Sequence, residues 1–171
     1  YPISALVVRK VGNTLSESVY EQLKECAEIL GVYQYFEFKV SPLQIIYRPR
    51  GNKIIFRGAD DPMKIKSLKV AKYPVAILWV EELAEFKTED EIQTIEQSVL
   101  RAELPEGLHY SFFYSYNPPK RKQSWVNKKY NTHSLPKNTY VHHSTYLENP
   151  YTSKETIEEA NELKARDEYK Y

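Results

Sequence analysis

Two kinds of hydrophobic spacing divide this chain. Ile3-Ser4-Ala5-Leu6-Val7-Val8 and Val75-Ala76-Ile77-Leu78-Trp79-Val80 are nearly unbroken apolar runs, the first ended by Arg9-Lys10 and the second by Glu81-Glu82. A strand reads this way when both of its faces are buried. His109 to Tyr114 is a third candidate for a central strand, and it ends in Ser115-Tyr116-Asn117-Pro118-Pro119. Between Tyr35 and Phe56 the period changes to two. Tyr35 to Val40, Gln44 to Arg48 and Lys53 to Phe56 read as short strands, with Pro49-Arg50-Gly51-Asn52 as the last turn. Tyr140 to His143 is a further short strand candidate.

Helical spacing alternates with these runs. Thr14-x-x-Glu17 has the form of a capping box, and the helix it opens would bury Leu15, Val19, Leu23, Ala27 and Leu30 before stopping at Gly31. Cys26 flanks that stripe and is read as a small packed residue. Thr88-x-x-Glu91 opens a second helix through Arg101, with Ile92, Ile95, Val99 and Leu100 inward. Thr152-x-x-Glu155 opens a third, a charged helix to about residue 167 with Ile157, Ala160 and Leu163 or Lys164 on its apolar stripe. Buried strands separated by amphipathic helices predict an α/β fold with a mostly parallel sheet flanked by helices.

Composition narrows the function more than the fold. Of 171 residues, 24 are Lys or Arg and 23 Asp or Glu, so net charge +1 imposes no global attraction to nucleic acid. The single cysteine rules out a disulfide framework and a multi-cysteine zinc site. The four histidines, 109, 133, 142 and 143, form no metal-binding set, and adjacent residues on a strand at 142 and 143 would face opposite ways. No apolar run approaches the ~20 residues of a membrane-spanning helix, and no signal peptide is evident. Five glycines are present, and none begins a G-x-x-x-x-G-K-[ST] phosphate loop. The start on Tyr1-Pro2, directly before an apolar run, reads as that of a piece of something longer.

In open parallel sheets chemistry collects where strands end. An apolar strand ending in two acids suits a nucleotide hydrolase. The first carboxylate can hold Mg²⁺, usually through water, and the second can orient or deprotonate the attacking water. The plainer alternative is that Glu81 and Glu82 only cap a helical turn through Leu83-Ala84-Glu85. Arg9 is open to a similar choice between a catalytic cation and a solvated strand end. Asp60-Asp61 before Pro62 reads as a loop leading into the short polar segment Met63 to Ser67 rather than as a metal pair. Lys120, Arg121, Lys122, Lys128 and Lys129 interleave with Trp125 and Tyr130. That stretch either contacts DNA phosphates with its rings on the backbone or a base, or is a solvated loop that packs its rings locally.

Three segments taken in order carry a resemblance. They are Phe56-Arg57-Gly58-Ala59-Asp60-Asp61-Pro62-Met63-Lys64-Ile65-Lys66-Ser67, then Leu78-Trp79-Val80-Glu81-Glu82-Leu83-Ala84-Glu85-Phe86, then Ser115-Tyr116-Asn117-Pro118-Pro119. The ordered set resembles the large terminase subunit of tailed bacteriophages, in the branch found in phages and defective prophages of Gram-positive bacteria. Val7-Val8-Arg9-Lys10 and Tyr146-Leu147-Glu148-Asn149-Pro150 are similar to that branch too. The resemblance implies a P-loop NTPase-like ATPase domain of the RecA/ASCE type, followed by a metal-dependent nuclease domain. It implies that the Walker A strand, loop and helix come before Tyr1 and are lacking here. Residues 1–150 would then be a partial ATPase domain, and 151–171 a helix leading toward the nuclease domain.

By the same resemblance Glu81 takes the Walker B position, holding Mg²⁺ where many relatives have Asp, and Glu82 takes that of the catalytic carboxylate. Ser115 and Asn117 would lie in the coupling motif that senses the γ-phosphate, and Arg9 would be an arginine finger. The implied cofactors are ATP and Mg²⁺. The implied partners are double-stranded DNA, the phage portal, the small terminase subunit and further copies in a ring, in the cytoplasm of the bacterial host and without a membrane. Without the phosphate loop this chain alone is expected to hydrolyse ATP poorly. Three further readings stay open: a nonenzymatic α/β module that binds nucleic acid through 120–130, a degenerate prophage remnant, and a metal-dependent nuclease using Asp60, Asp61, Glu81 and Glu82.

Overall fold

The computed structural model of the protein describes residues 1–60, 65, 72–101 and 103–166. Among these residues six strands form one sheet: β1 (Ser4–Arg9), β2 (Phe36–Val40), β3 (Leu43–Tyr47), β4 (Asn52–Gly58), β5 (Val75–Glu81) and β6 (Ser111–Ser115). Their order is β2-β3-β4-β1-β5-β6. The four strands from β4 to β6 run parallel, and β2 and β3 add an antiparallel hairpin at one edge. The two continuous apolar runs are therefore neighbours in the middle of the sheet. β4 reaches from the hairpin into the parallel part, which its period-two spacing alone did not show.

Both faces are covered. On one face Val7, Ile45 and Phe56 pack with Leu15, Val19 and Tyr20, and the Tyr20 ring meets Phe56 edge-on at 5.4 Å. The pleat turns Leu6, Val8, Leu78 and Val80 the other way, where they are fully buried. Helix α1 (Glu21–Ile29) follows β1, and helix α2 (Glu89–Val99) follows β5 and packs against it with Ile92, Ile95 and Val99 buried. The 88–91 capping box is present: Glu91 Oε1 accepts from the backbone N–H groups of Lys87 and Thr88 at 3.0 and 3.3 Å. A short helix, α3 (Trp125–Tyr130), was not foreseen; the Ser124 hydroxyl caps it by accepting from the Asn127 N–H at 3.4 Å.

Several expectations need correction. The Thr14 hydroxyl bonds back to the Val11 carbonyl and caps nothing; a wide π turn over Ser16–Tyr20 precedes α1 instead. Leu30 is 72% exposed, because the helix has ended before its stripe returns to the sheet. Cys26 is exposed, not packed, and Leu100 at the end of α2 is half exposed. The third strand candidate forms but lies at the edge of the described sheet, so alternate residues Ser111, Phe113 and Ser115 face solvent. Met63 to Ser67 falls, apart from buried Ile65, outside the described residues, as does Asp61.

The chain divides into two compact units, Tyr1–Thr132 and His133–Tyr171. In the second, 140–143 is not a strand, and His142 and His143 are both exposed in irregular chain. Helix α4 (Lys154–Arg166) is capped one residue later than expected: Ser153 Oγ accepts from the Thr156 N–H at 3.2 Å, while the Thr152 hydroxyl donates to the Tyr146 carbonyl. Its polar sequence leaves no residue of α4 buried.

The carboxyl end of β4 is fixed by a backbone crossing. The loop after β1 passes so close to β4 that a Cβ at Gly58 would lie 2.7 Å from Gly12 Cα and 2.1 Å from Asp60 Oδ1. Backbone cannot yield as a flexible side chain can. Gly58→Ala is therefore expected to lower stability by about 2 kcal/mol or more, checked by urea or thermal unfolding of the two proteins side by side.

Candidate functional site

Parallel pairing sets the site. Arg9 stands opposite Gly58, and Glu81 stands opposite Ser115. The register of β1 with β5, Val8 against Val80, places Arg9 next to Glu81. Gly58, Arg9, Glu81 and Ser115 thus form a row across the carboxyl edge, although they are far apart in sequence.

The charges in that row are organised around Arg9. Its guanidinium donates to both oxygens of Glu85 at 3.1 and 3.5 Å and lies 3.6 Å from Glu81 Oε2. The Ser18 hydroxyl donates to the same Glu81 oxygen at 3.3 Å. Arg9 and Glu81 are mostly covered, with 19% and 15% of their side-chain surface exposed. Burial pushes the Glu81 carboxyl above its usual range; Arg9 and Ser18 pull it back, and Glu82 and Glu85 add to the upward push. A carboxylate kept where ionisation is opposed marks a candidate functional position.

Glu82 follows in the left-handed conformation, φ 51° and ψ 52°, which disfavours a residue with a Cβ. The bend turns the chain off the end of β5 and sends Leu83 into the core, with the Glu85 N–H returning to the Glu82 carbonyl at 2.9 Å. The cap alternative is partly realised, since a short turn over Leu83–Glu85 does follow. That turn is too short for a helix N-terminal effect to account for both acids.

The other predicted residues fall into place around this edge. Ser115 accepts from the Trp79 indole N–H at 3.0 Å, and Asn117 is exposed two residues beyond it. Arg121, Lys122 and Lys128 are exposed, as is Lys120, whereas Lys129 is paired with Glu89 at 2.7 Å. The rings of the basic stretch turn inward. Trp125 donates to the Phe86 carbonyl at 2.7 Å, and Tyr130 packs beside Tyr114 and Tyr116. Tyr130 is buried and the Trp125 indole N–H is taken by backbone, so the rings are packed locally. Asp60 is exposed. Among the described residues no group of three or more His, Cys, Asp or Glu is placed to hold a metal ion, and no helix is long and apolar enough to cross a membrane. A cavity of about 570 Å³ has Lys10, Phe86 and Glu91 among its lining residues, but neither Glu81 nor Glu82.

Ser18 was missed. Its neighbours Leu15 and Val19 fit an ordinary helix equally well, and the only sign of a wider turn was Tyr20, a second large side chain directly after Val19 that is also buried.

A mixed α/β sheet whose parallel part gathers acids at its carboxyl edge, with side chains buried on both faces, has an open, doubly wound α/β architecture, the class in which ligands bind at that edge. The chain belongs to the phage terminase large subunit family, whose model matches residues 1–171. It is 62% identical over 170 residues to the large terminase subunit of Bacillus phage SPP1, and 28% identical over 176 residues to the PBSX phage terminase large subunit of Bacillus subtilis strain 168. It covers 99% and 96% of itself in those matches but only 40% of each relative. Solved large terminases share the fold. That of a thermophilic bacteriophage matches with TM-score 0.55 at 16% identity, over 77% of this chain and 30% of that one. The HK97 bacteriophage large terminase matches with TM-score 0.51 at 10% identity, over 72% and 24%.

The shifted carboxyl has a consequence for stability. Because burial raises Glu81 in the folded state, the contribution of its protonated form is present below the ordinary carboxyl range and is lost as pH rises through the raised value. Glu81→Gln removes that loss. The variant is expected to melt higher than the parent at about pH 8, with the gap closing as pH falls toward about 4. Thermal unfolding across that range checks it, and a lower melting point at the alkaline end would count against a penalised carboxylate.

Proposed function

We propose that this chain carries the hydrolytic edge of the ATPase motor that drives double-stranded viral DNA into the prohead. The observation that carries the reading is Glu81, half-buried against Arg9 and Ser18, followed directly by Glu82 on a strained backbone at the carboxyl end of a central parallel strand. The large terminase of the same thermophilic phage, solved in complex with ADP, matches this chain with TM-score 0.50 at 17% identity, which supports a nucleotide-binding use of the fold.

The donor chemistry fits Mg²⁺ without a closed protein cage. Mg²⁺ is commonly held by one or two carboxylates, with waters and substrate phosphate oxygens completing its octahedron. Glu81 would hold it, through water. When bound, the ion neutralises charge that builds on the transferring phosphoryl group. Glu82, which is not bonded to Arg9, orients the attacking water and accepts its proton. Ser115, opposite Glu81 across the parallel pair, and Asn117 beyond it sense the γ-phosphate and pass its loss to the rest of the motor. Arg9 acts as an arginine finger by exchanging Glu85 for a phosphate; bound to Glu85 as it is here, it counters the charge of the acids.

This reading brings with it the partners of a packaging motor: a ring of further copies, the portal and the small terminase subunit, in the cytoplasm of the bacterial host. In the complete gene product, Glu82→Gln is expected to lower ATP turnover at least about 100-fold while ATP binding is retained. Undiminished turnover would overturn the assignment.

The exposed cations of the basic stretch support a DNA interaction through phosphates alone. Replacing Arg121, Lys122 and Lys128 by Ala in the complete protein should flatten the plot of log binding constant against log salt concentration. The expected change is about 0.9 in slope for each phosphate that is no longer neutralised. An unchanged slope would remove this stretch from the DNA path.

A further inference from the structure

We propose that Ser18 is a positioning residue for Glu81: with Arg9 it holds one carboxylate oxygen and leaves the other presented at the carboxyl edge. The inference rests on the reading of Glu81 as the carboxylate that serves Mg²⁺.

The geometry is specific to one atom. The Ser18 hydroxyl, at 3.3 Å, and an Arg9 guanidinium nitrogen, at 3.6 Å, both address Oε2 of Glu81. A glutamate side chain has several rotatable bonds, and although Glu81 is mostly covered its carboxylate needs polar partners to fix which way it turns. One hydrogen bond from Ser18 and one ion pair from Arg9, both on Oε2, restrict that freedom and favour Oε1 as the oxygen left for other partners. Arg9 alone would be a poor anchor, because its shorter bonds are to Glu85. A guanidinium that exchanges partners during turnover would release Glu81 unless a second donor held it, and Ser18 is that donor.

The backbone beneath Ser18 is built for the placement. The Tyr20 N–H bonds to the Leu15 carbonyl, five residues back, at 3.1 Å, so Ser16–Tyr20 is a π turn inserted before α1. Such turns are rare and concentrate at functional sites. The wider turn lets Leu15, Val19 and Tyr20 all enter the core while Ser18 remains half-buried toward the end of β5. Loss of an outer partner of this kind typically costs a metal site about 10–100-fold in affinity or activity.

The test uses the complete gene product with Ser18→Ala and Ser18→Thr, beside Glu81→Gln and Glu82→Gln. Mn²⁺ binding is read by electron paramagnetic resonance in the presence of a non-hydrolysable ATP analogue, and the Mg²⁺ concentration giving half-maximal turnover is measured separately. Ser18→Ala is expected to weaken Mn²⁺ binding and raise the Mg²⁺ requirement by about tenfold or more, and Ser18→Thr, which keeps a hydroxyl, to restore most of both. If Ser18→Ala does not fold, Ser18→Cys, similar in volume with a weaker donor, is read in the same way. Unchanged cation binding with a lowered melting point would mean that Ser18 only packs, and would overturn the inference. Should Ser18→Ala leave both cation readouts unchanged while Glu81→Gln and Glu82→Gln abolish turnover, the Ser18 role alone falls. Should turnover survive both glutamate changes, the hydrolytic reading falls and the Ser18 role falls with it.

Discussion

A parallel sheet delivers the ends of its central strands to one edge, and here that edge collects acid: Glu81 and Glu82 at the end of β5, and Glu85 in the turn that follows. Brought together without compensation, these carboxylates would repel one another in a partly desolvated place. The Arg9 guanidinium resolves the conflict because β1 lies beside β5 in a register that ends it at the same level. Much else follows from that adjacency. The loop after β1 crosses β4 so closely that a side chain at 58 would strike the backbone at 12, and one at 12 would be tightly crowded by it. The π turn must then bring a hydroxyl back over the same strand end.

The ion pairs further along α2 extend the arrangement. Lys10, next to Arg9, binds Glu91, which also closes the cap of α2, and Lys129 of α3 binds Glu89 in the first turn of the same helix. For Glu91 burial raises the carboxyl but Lys10 and the capping amides more than offset it; Glu89 is lowered chiefly by its bond to Lys129. Tyr114 carries the network to the other side by donating to Glu96; burial, with this bond adding to it, raises its phenol far above the usual range. Lys128 and Lys129 are therefore mounted on a packed helix, while Lys120 to Lys122 lie in the turn before it.

What the sequence could reveal divides along physical lines. Residues 3–8 and 75–80 were legible as buried strands because continuous apolar runs have few alternatives, and the acid pair at 81–82 was legible because it ends such a run. The hairpin strands were legible from their period of two. Long-range facts were not: nothing local says that β4 pairs with β1, or that Arg9 would meet Glu85. Capping patterns misled where a competing bond was available, as at Thr14, whose hydroxyl prefers the Val11 carbonyl, and Thr152, whose hydroxyl reaches Tyr146. The end of β6 was read correctly as a polar strand terminus, but its place at the described sheet edge depends on pairing, which hydrophobicity does not encode. Ser18 is the sharpest example, since α and π turns bury Leu15 and Val19 alike and differ only in where the residue between them points.

The backbone at Glu82 has a meaning for how this position can change over generations. Left-handed geometry is easiest for glycine and tolerable for asparagine and aspartate, and it costs other residues about 1 kcal/mol. Random drift filtered only by folding would move the position toward that small group. If hydrolysis depends on Glu82 as proposed, a glutamate there is kept against that drift, and lineages that lose the hydrolytic role should lose this side chain early, while the buried apolar run before it persists. Position 82 would then record whether a descendant sheet still works or merely folds.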